Sequence, residues 1–130
     1  MSFAEHSVAG VAILLWAADP TAPERLATPF FHAAAAAAME VPVEIYFTAA
    51  SVHLLLPGVA AGLRASPRVD KTIADNLREA VDMGVQLFAC SDALQAQGIA
   101  AAELMPGVQR GGAVQFMARA IERDWRTLVF

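Results

Sequence analysis

Cysteine is nearly absent from this chain. Its 130 residues include one, Cys90. That excludes an internal disulfide and any Cys-x-x-Cys dithiol cycle within one chain, and it fits a reducing, cytoplasmic compartment. Charge is scarce too. Charged residues make up 17% of the sequence, below the usual level of about a quarter. No run of Lys or Arg occurs, and the net charge is −4. The basic footprint of a nucleic-acid binder is therefore missing, and an anionic membrane surface has nothing to attract. His6, His32 and His53 are too dispersed to make a metal site. Gly107 and Gly111-Gly112 form no phosphate-loop or dinucleotide pattern, so no metal or other cofactor is expected. A spanning or signal segment is not expected either. The apolar run Val8–Ala18 follows Met1–His6, which holds Glu5 and no Lys or Arg, and Asp19-Pro20 stops it. A signal peptide wants a positive start, and a spanning helix needs about 20 apolar residues.

What the chain does have is apolar surface. Apolar residues make up 57% of it, and 29 residues are alanine. This length suits one domain and is enough to bury a core. A monomer of this size has trouble covering so much apolar surface, so a homo-oligomer is expected.

The apolar run over residues 8–17 predicts a central parallel strand buried on both faces. Thr21-Ala22-Pro23-Glu24 has a capping-box pattern and predicts a helix toward Met39. That helix either kinks at Pro29 or restarts with Thr28 as its cap. The alanines 33–38 follow from helix propensity. Val41 to Phe47 reads as a second strand, and Pro42 and Glu44 place it nearer an edge. Thr48-Ala49-Ala50-Ser51 opens a short helix through Leu56, which Pro57-Gly58 stops. Residues 57–69 read as a surface loop or short irregular helix. Asp70 is the expected N-cap of a helix to about Met83, with Ile73, Leu77, Ala80 and Val81 inward and Gly84 as its C′ residue. A strand then ends at Cys90, and a helix from Ser91 or Asp92 closes at Gly98. One helical turn is expected over Ala100–Met105, and a very short strand near Val108. After Gly111-Gly112 a helix follows with Val114, Met117, Ala118 and Ile121 inward, ending in Arg119 and Arg123. Thr127–Phe130 is a final strand. Strands alternate with helices throughout, so the expectation is a single α/β domain over residues 1–130. Its mostly parallel sheet would have four or five strands, with right-handed crossovers and helices on both faces.

In such a sheet, ligands bind beyond the carboxyl ends of the strands, and Cys90 lies at such an end. It also starts a helix, where free backbone N–H groups, here those of Ser91 and Asp92, favour the thiolate. A free cysteine is commonly just a small buried hydrophobe; its position is what argues for a reactive sulfur. Asp19, Thr48, His53, Ser91 and Asp92 fall near the same rim and are candidate substrate-binding residues. His53, six residues past the second strand, is the histidine placed to approach the thiol. His6 and His32 read as solvated or structural. No third group supports a Cys-His protease triad.

The run Ala80-Val81-Asp82-Met83-Gly84-Val85-Gln86-Leu87-Phe88-Ala89-Cys90-Ser91-Asp92-Ala93-Leu94 resembles the DsrE/DsrF-like family of small sulfur-relay proteins. Gly98-Ile99 and Leu104-Met105-Pro106-Gly107-Val108 extend the resemblance, as do Phe47-Thr48 and Thr127-Leu128-Val129-Phe130. It implies a three-layer, flavodoxin-like α/β/α fold assembled as homotrimers or hexamers. In the sulfur-transferring members it implies a cysteine that carries sulfur as a persulfide between donor and acceptor proteins, which here is Cys90. Some relay members have a second cysteine; this chain does not. Three functions stay open: a sulfur carrier or sulfurtransferase, a non-catalytic oligomeric binding protein, and a thiol redox sensor that forms a sulfenic acid.

Overall fold

The computed structural model describes residues 8–130. The readings made on Met1–His6, His6 included, lie outside them. Five strands, β1 (Gly10–Leu15), β2 (Val43–Phe47), β3 (Gln86–Ala89), β4 (Gln109–Arg110) and β5 (Trp125–Val129), alternate with α1 (Ala27–Ala38), α2 (Ile73–Asp82), α3 (Ser91–Ala96) and α4 (Ala113–Ile121). The strands form one parallel sheet in the order β4-β3-β2-β1-β5. This is the expected three-layer α/β/α sandwich.

The period-2 alternation of a strand divides the core in two. Ile13, Leu15, Val43, Ile45, Phe47, Leu87 and Ala89 face one side and pack with Phe30, Leu77 and Leu94 from the first three helices. Ala12, Tyr46 and Phe88 face the other side and meet Phe116 of α4. The first layer is the larger. Each fully buried ring or branched side chain in it stabilises the fold by about 1.5–3 kcal/mol.

Several expectations need correction. β2 is the middle strand, not an edge. Pro42 precedes the strand, so its missing N–H costs no ladder bond, and its carbonyl accepts from Val11 N–H at 2.9 Å. Glu44 is tolerated there because Arg119 and Tyr46 satisfy its carboxylate. The Thr21-Ala22-Pro23-Glu24 pattern makes only a 3-10 turn over Pro23–Arg25. Thr21 instead donates to the Asp19 carboxylate. α1 then starts at Ala27 with Leu26, not Thr28, as its N-cap. Pro29 falls in the first turn, where no intrahelical N–H is required.

The N-cap of α2 is Thr72 rather than Asp70. Thr72 Oγ1 accepts from Asp75 N–H at 3.1 Å, and the Asp75 carboxylate accepts from Thr72 N–H at 2.9 Å. Asp70 is exposed two residues earlier. Val81 is exposed and Asn76 is buried in its place. The end of α2 is as expected. Gly84, at φ +95°, closes a Schellman motif through Gly84 N–H to Val81 O and Val85 N–H to Ala80 O.

On α4, Val114, Met117 and Ile121 are 88%, 52% and 78% exposed, and Ala118 is exposed as well. The helix turns Phe116 inward instead. Its apolar stripe is real, but none of the described residues covers it.

The cap assignment is testable by chemical denaturation. Thr72→Ala should cost about 1 kcal/mol. Asp70→Ala should stay within about 0.5 kcal/mol of wild type, as exposed substitutions do. The opposite ranking would return the cap to Asp70.

Candidate functional site

The order of the sheet builds a cleft at its carboxyl edge. Strands β1 to β4 step in one direction, so their right-handed crossovers place α1, α2 and α3 on one face. The return from β4 to β5 reverses direction and puts α4 on the other face. The chain therefore leaves β3 toward one face and leaves β4, its neighbour, toward the other. A crevice opens between two such strand ends. Its walls are Cys90 with Ser91 on the β3 side and Gly111-Gly112 on the β4 side.

Cys90 is half-buried. Its N–H donates to Phe47 O at 3.0 Å, and its carbonyl accepts from Leu94 N–H at 3.0 Å. It is the N-cap residue of α3, with φ −70° and ψ 122°, but its side chain accepts no bond from the first turn. The expected support from Ser91 and Asp92 N–H groups is thus not made here. The sulfur faces Gly112 instead. A Cβ on Gly112 would stand 3.2 Å from Sγ, so glycine lets the second loop close over the thiol. A Cβ on Gly111 would meet the Phe88 ring at 2.9 Å.

Two recesses meet at Cys90. One is a cavity of about 260 Å³ lined by Leu14, Tyr46, Phe47, Thr48, Phe116 and Met117 together with the glycine loop. Apart from the Thr48 hydroxyl and backbone, its walls are largely apolar. The other recess is shallower and polar, with Ser91, Asp92 and Arg110 on its walls. Arg110 Nε donates to Ser91 Oγ at 3.0 Å.

Of the rim candidates, Thr48, Ser91 and Asp92 share these walls with Cys90. Asp19 and His53 do not line them. Asp19 is taken up by its own turn: the N–H and hydroxyl of Thr21 bond its Oδ1 at 2.8 and 2.9 Å and hold the carboxyl below its ordinary range. His53 Nε2 pairs with Gln97 Oε1 at 2.9 Å, at the far end of α3 from Cys90. The loop after β2 is fixed by Ser51, which is fully buried. Ser51 Oγ donates to the Leu15 carbonyl at 2.7 Å and accepts from Thr48 N–H at 3.0 Å. Ala49 beside it stands at φ +50°, a conformation that costs a non-glycine residue about 1–3 kcal/mol. Among the described residues no three His, Cys, Asp or Glu side chains gather as a metal-binding set.

Sequence reasoning did not single out Arg110, Gly112 or Tyr46. A Gly-Gly pair opening a helix was the available signal for Gly112, since close backbone approach favours glycine. Tyr46 walls the apolar recess and donates to Glu44 Oε1 at 2.7 Å. It stacks on Phe88 at 5.0 Å between centroids and meets Phe116 edge-on at 5.5 Å. Burial first, and then its bond to the Glu44 carboxylate, push its hydroxyl up to about 12.

A parallel α/β sheet with a half-buried thiol at a strand's carboxyl end defines the class of protein. The family follows from comparison. The model of the DsrE/DsrF-like family matches residues 11–130, and the chain belongs to that family. Two solved structures share the fold. The ychN protein from E. coli has a TM-score of 0.71 at 20% identity, with 93% of this chain and 99% of that one covered. MTH1491 from Methanobacterium thermoautotrophicum, a protein of unknown function, has a TM-score of 0.64 at 20% identity, with 92% and 97% covered. No curated protein matches the sequence. No described helix is long and apolar enough to cross a membrane.

Tyr46 is the only tyrosine in the chain, so tyrosinate absorbance reads it alone. The folded protein should titrate with a midpoint near 12, against an ordinary value of 10.0. The fold favours the protonated hydroxyl. Its stabilising contribution is therefore complete below pH 10 and is lost as pH rises through 12. A folded-state midpoint near 10 would contradict the buried bond to Glu44.

Proposed function

We propose that the protein carries sulfane sulfur on Cys90, as a one-sulfur relay between a donor and an acceptor. The observation that carries this reading is a half-buried thiol opening into the crevice between β3 and β4. A sulfur enclosed on all sides would suit a passive core cysteine better. Membership of the DsrE/DsrF-like family is consistent with sulfur relay.

The chemistry balances without any external oxidant or reductant. The Cys90 thiolate attacks the outer sulfur of a donor persulfide, R–S–SH. A bond forms between Sγ and that sulfur, the donor S–S bond breaks, and the thiolate R–S⁻ leaves and takes up a proton. An acceptor thiolate then attacks the outer sulfur of the Cys90 persulfide, and Cys90 departs as thiolate. Each half-reaction exchanges one S–S bond for another. A cytoplasmic setting suits this cycle, because the resting cysteine must stay reduced.

Incubation with a persulfide donor followed by intact mass spectrometry tests it. Wild type should gain the mass of one sulfur atom, which dithiothreitol removes, and Cys90→Ser should gain none. A wild type that gains no more mass than Cys90→Ser does would end the carrier reading. Peroxide-dependent oxidation of Cys90 without sulfur loading would point to a redox sensor instead.

An assembly role has its own support. Val114, Met117 and Ile121 on α4 are exposed, and so are Leu128 and Val129 on β5. An exposed apolar stripe such as that of α4 marks an association face. The assembly in this reading is a homotrimer or hexamer. Light scattering after size exclusion should give a mass several times that of one chain. Ile121→Glu, at a position already 78% exposed, should shift it to monomer without loss of helical content. A monomeric wild type would remove the oligomer from this reading.

A further inference from the structure

Arg119 does not line the cleft of Cys90, but it bonds the helix that forms one wall of that cleft to the middle strand. Among the described residues α4 is the sole α-helix on its face of the sheet, and it buries one residue, Phe116. One ring is a weak anchor for a nine-residue helix. The other anchor is ionic. Arg119, one turn beyond Phe116, donates from Nε and Nη2 to the two oxygens of Glu44, each at 3.0 Å. Its guanidinium also lies 4.1 Å from the centroid of the Trp125 ring. Trp125 in turn lies over Gly10, where any side chain would collide with it. Glu44 sits on the middle strand and is 6% exposed, so water offers it no substitute partner. Paired N–H···O bonds of this kind fix direction as well as distance.

The other end of the same helix carries Gly112, against the Cys90 sulfur. Few bonds hold that end, and one of them is the 3.0 Å bond from Arg110 Nε to Ser91 Oγ. β4 pairs with β3 over two residues, and Gly111 adds one backbone bond to Ala89. The helix is therefore a lever, with the Arg119–Glu44 pair near one end and the thiol under the other.

We propose that Arg119 is a positioning residue for the Cys90 site: its paired bonds to Glu44 hold α4 on the sheet, and so keep Gly112 over the sulfur and Phe116 in the wall of its cavity. The thiol is then open to small reagents and shielded from bulky ones. The inference rests on Cys90 being the reacting group and adds a size selection that the cysteine's own position does not supply.

Alkylation reads the sulfur whether or not it ever carries a persulfide. Cys90 in the full-length protein is reacted with N-ethylmaleimide and with N-(1-pyrenyl)maleimide, which share a reactive group and differ in bulk. Both rates are normalised to a free thiol. In Arg119→Gln the bulky-to-small rate ratio should rise about fivefold or more, the low end of coupling between linked sites. Glu44→Gln/Arg119→Gln leaves no unpaired buried carboxylate and should show the same rise in a cooperatively melting protein. Arg119→Lys, a point charge without the fork, should fall between. An unchanged ratio in a folded variant overturns the proposal, and so does an equal rise in both rates, which is general loosening. Loss of the fold in both variants overturns it as well, because the pair would then be a stabilising contact only. A shifted ratio with no sulfur loading would sink the carrier reading and leave the positioning role standing. Sulfur loading with an unchanged ratio would do the reverse.

Discussion

A right-handed crossover between parallel strands can run over only one face of the sheet, and the direction of the step selects that face. The site depends on this constraint. Four strands laid down in one direction commit three helices to one side. The last strand has to join at β1, because β1 alone still has a free edge beside a long buried strand. Reaching it means crossing back over β3, β2 and β1, and that reversal sends α4 to the bare face. The crevice at Cys90 is where the reversal begins. It is a product of topology first and of side chains second.

The same reversal leaves the two layers unequal. Three helices cover one face with aliphatic and aromatic side chains. The other face has one helix, and its core holds Ala12, Tyr46, Phe88 and Phe116. Glu44 is buried in that thin layer. Removing the Glu44 carboxylate from water costs several kcal/mol, and its attraction to the partly exposed Arg119 guanidinium roughly offsets it. The pair therefore contributes little net stability. Its two parallel bonds restrict the rotation of α4 more tightly than a greasy contact would, since apolar packing tolerates sliding. The outward stripe of α4, with Val114, Met117 and Ile121, stays exposed on the far side of that thin layer.

Much of this was legible from local pattern. The alternation of strands and helices, the strand–cysteine–helix junction and the Gly84 terminus are all set by residues close in sequence. What was not legible depends on distant partners. Glu44 looks like an edge residue until Arg119, 75 positions away, is known to pair with it. Val114, Met117 and Ile121 form a sound amphipathic stripe, but periodicity gives the stripe and not the surface it meets. Asp70 and Thr72 are both competent caps, and the reciprocal Asp75 favours the second. Gly112 and Arg110 join the site only because β4 lies beside β3. His53 showed the opposite error: the right end of the sheet, but bonded to Gln97 instead of near the thiol.

In the proposed relay, a single thiol forces donor and acceptor to use one sulfur in turn. Both must reach the same mouth, so a pocket shaped closely around either would exclude the other. A cleft between two loops meets that demand, apolar on one side and carrying Ser91, Asp92 and Arg110 on the other. Partial burial follows from the same logic. A fully exposed persulfide would lose its outer sulfur to any thiol of a reducing compartment, because exchange depends on access as much as on nucleophilicity. A fully buried one would meet neither partner. The half-buried sulfur beneath Gly112 lies between these failures, and in the proposed arrangement the angle of α4 sets how far toward each.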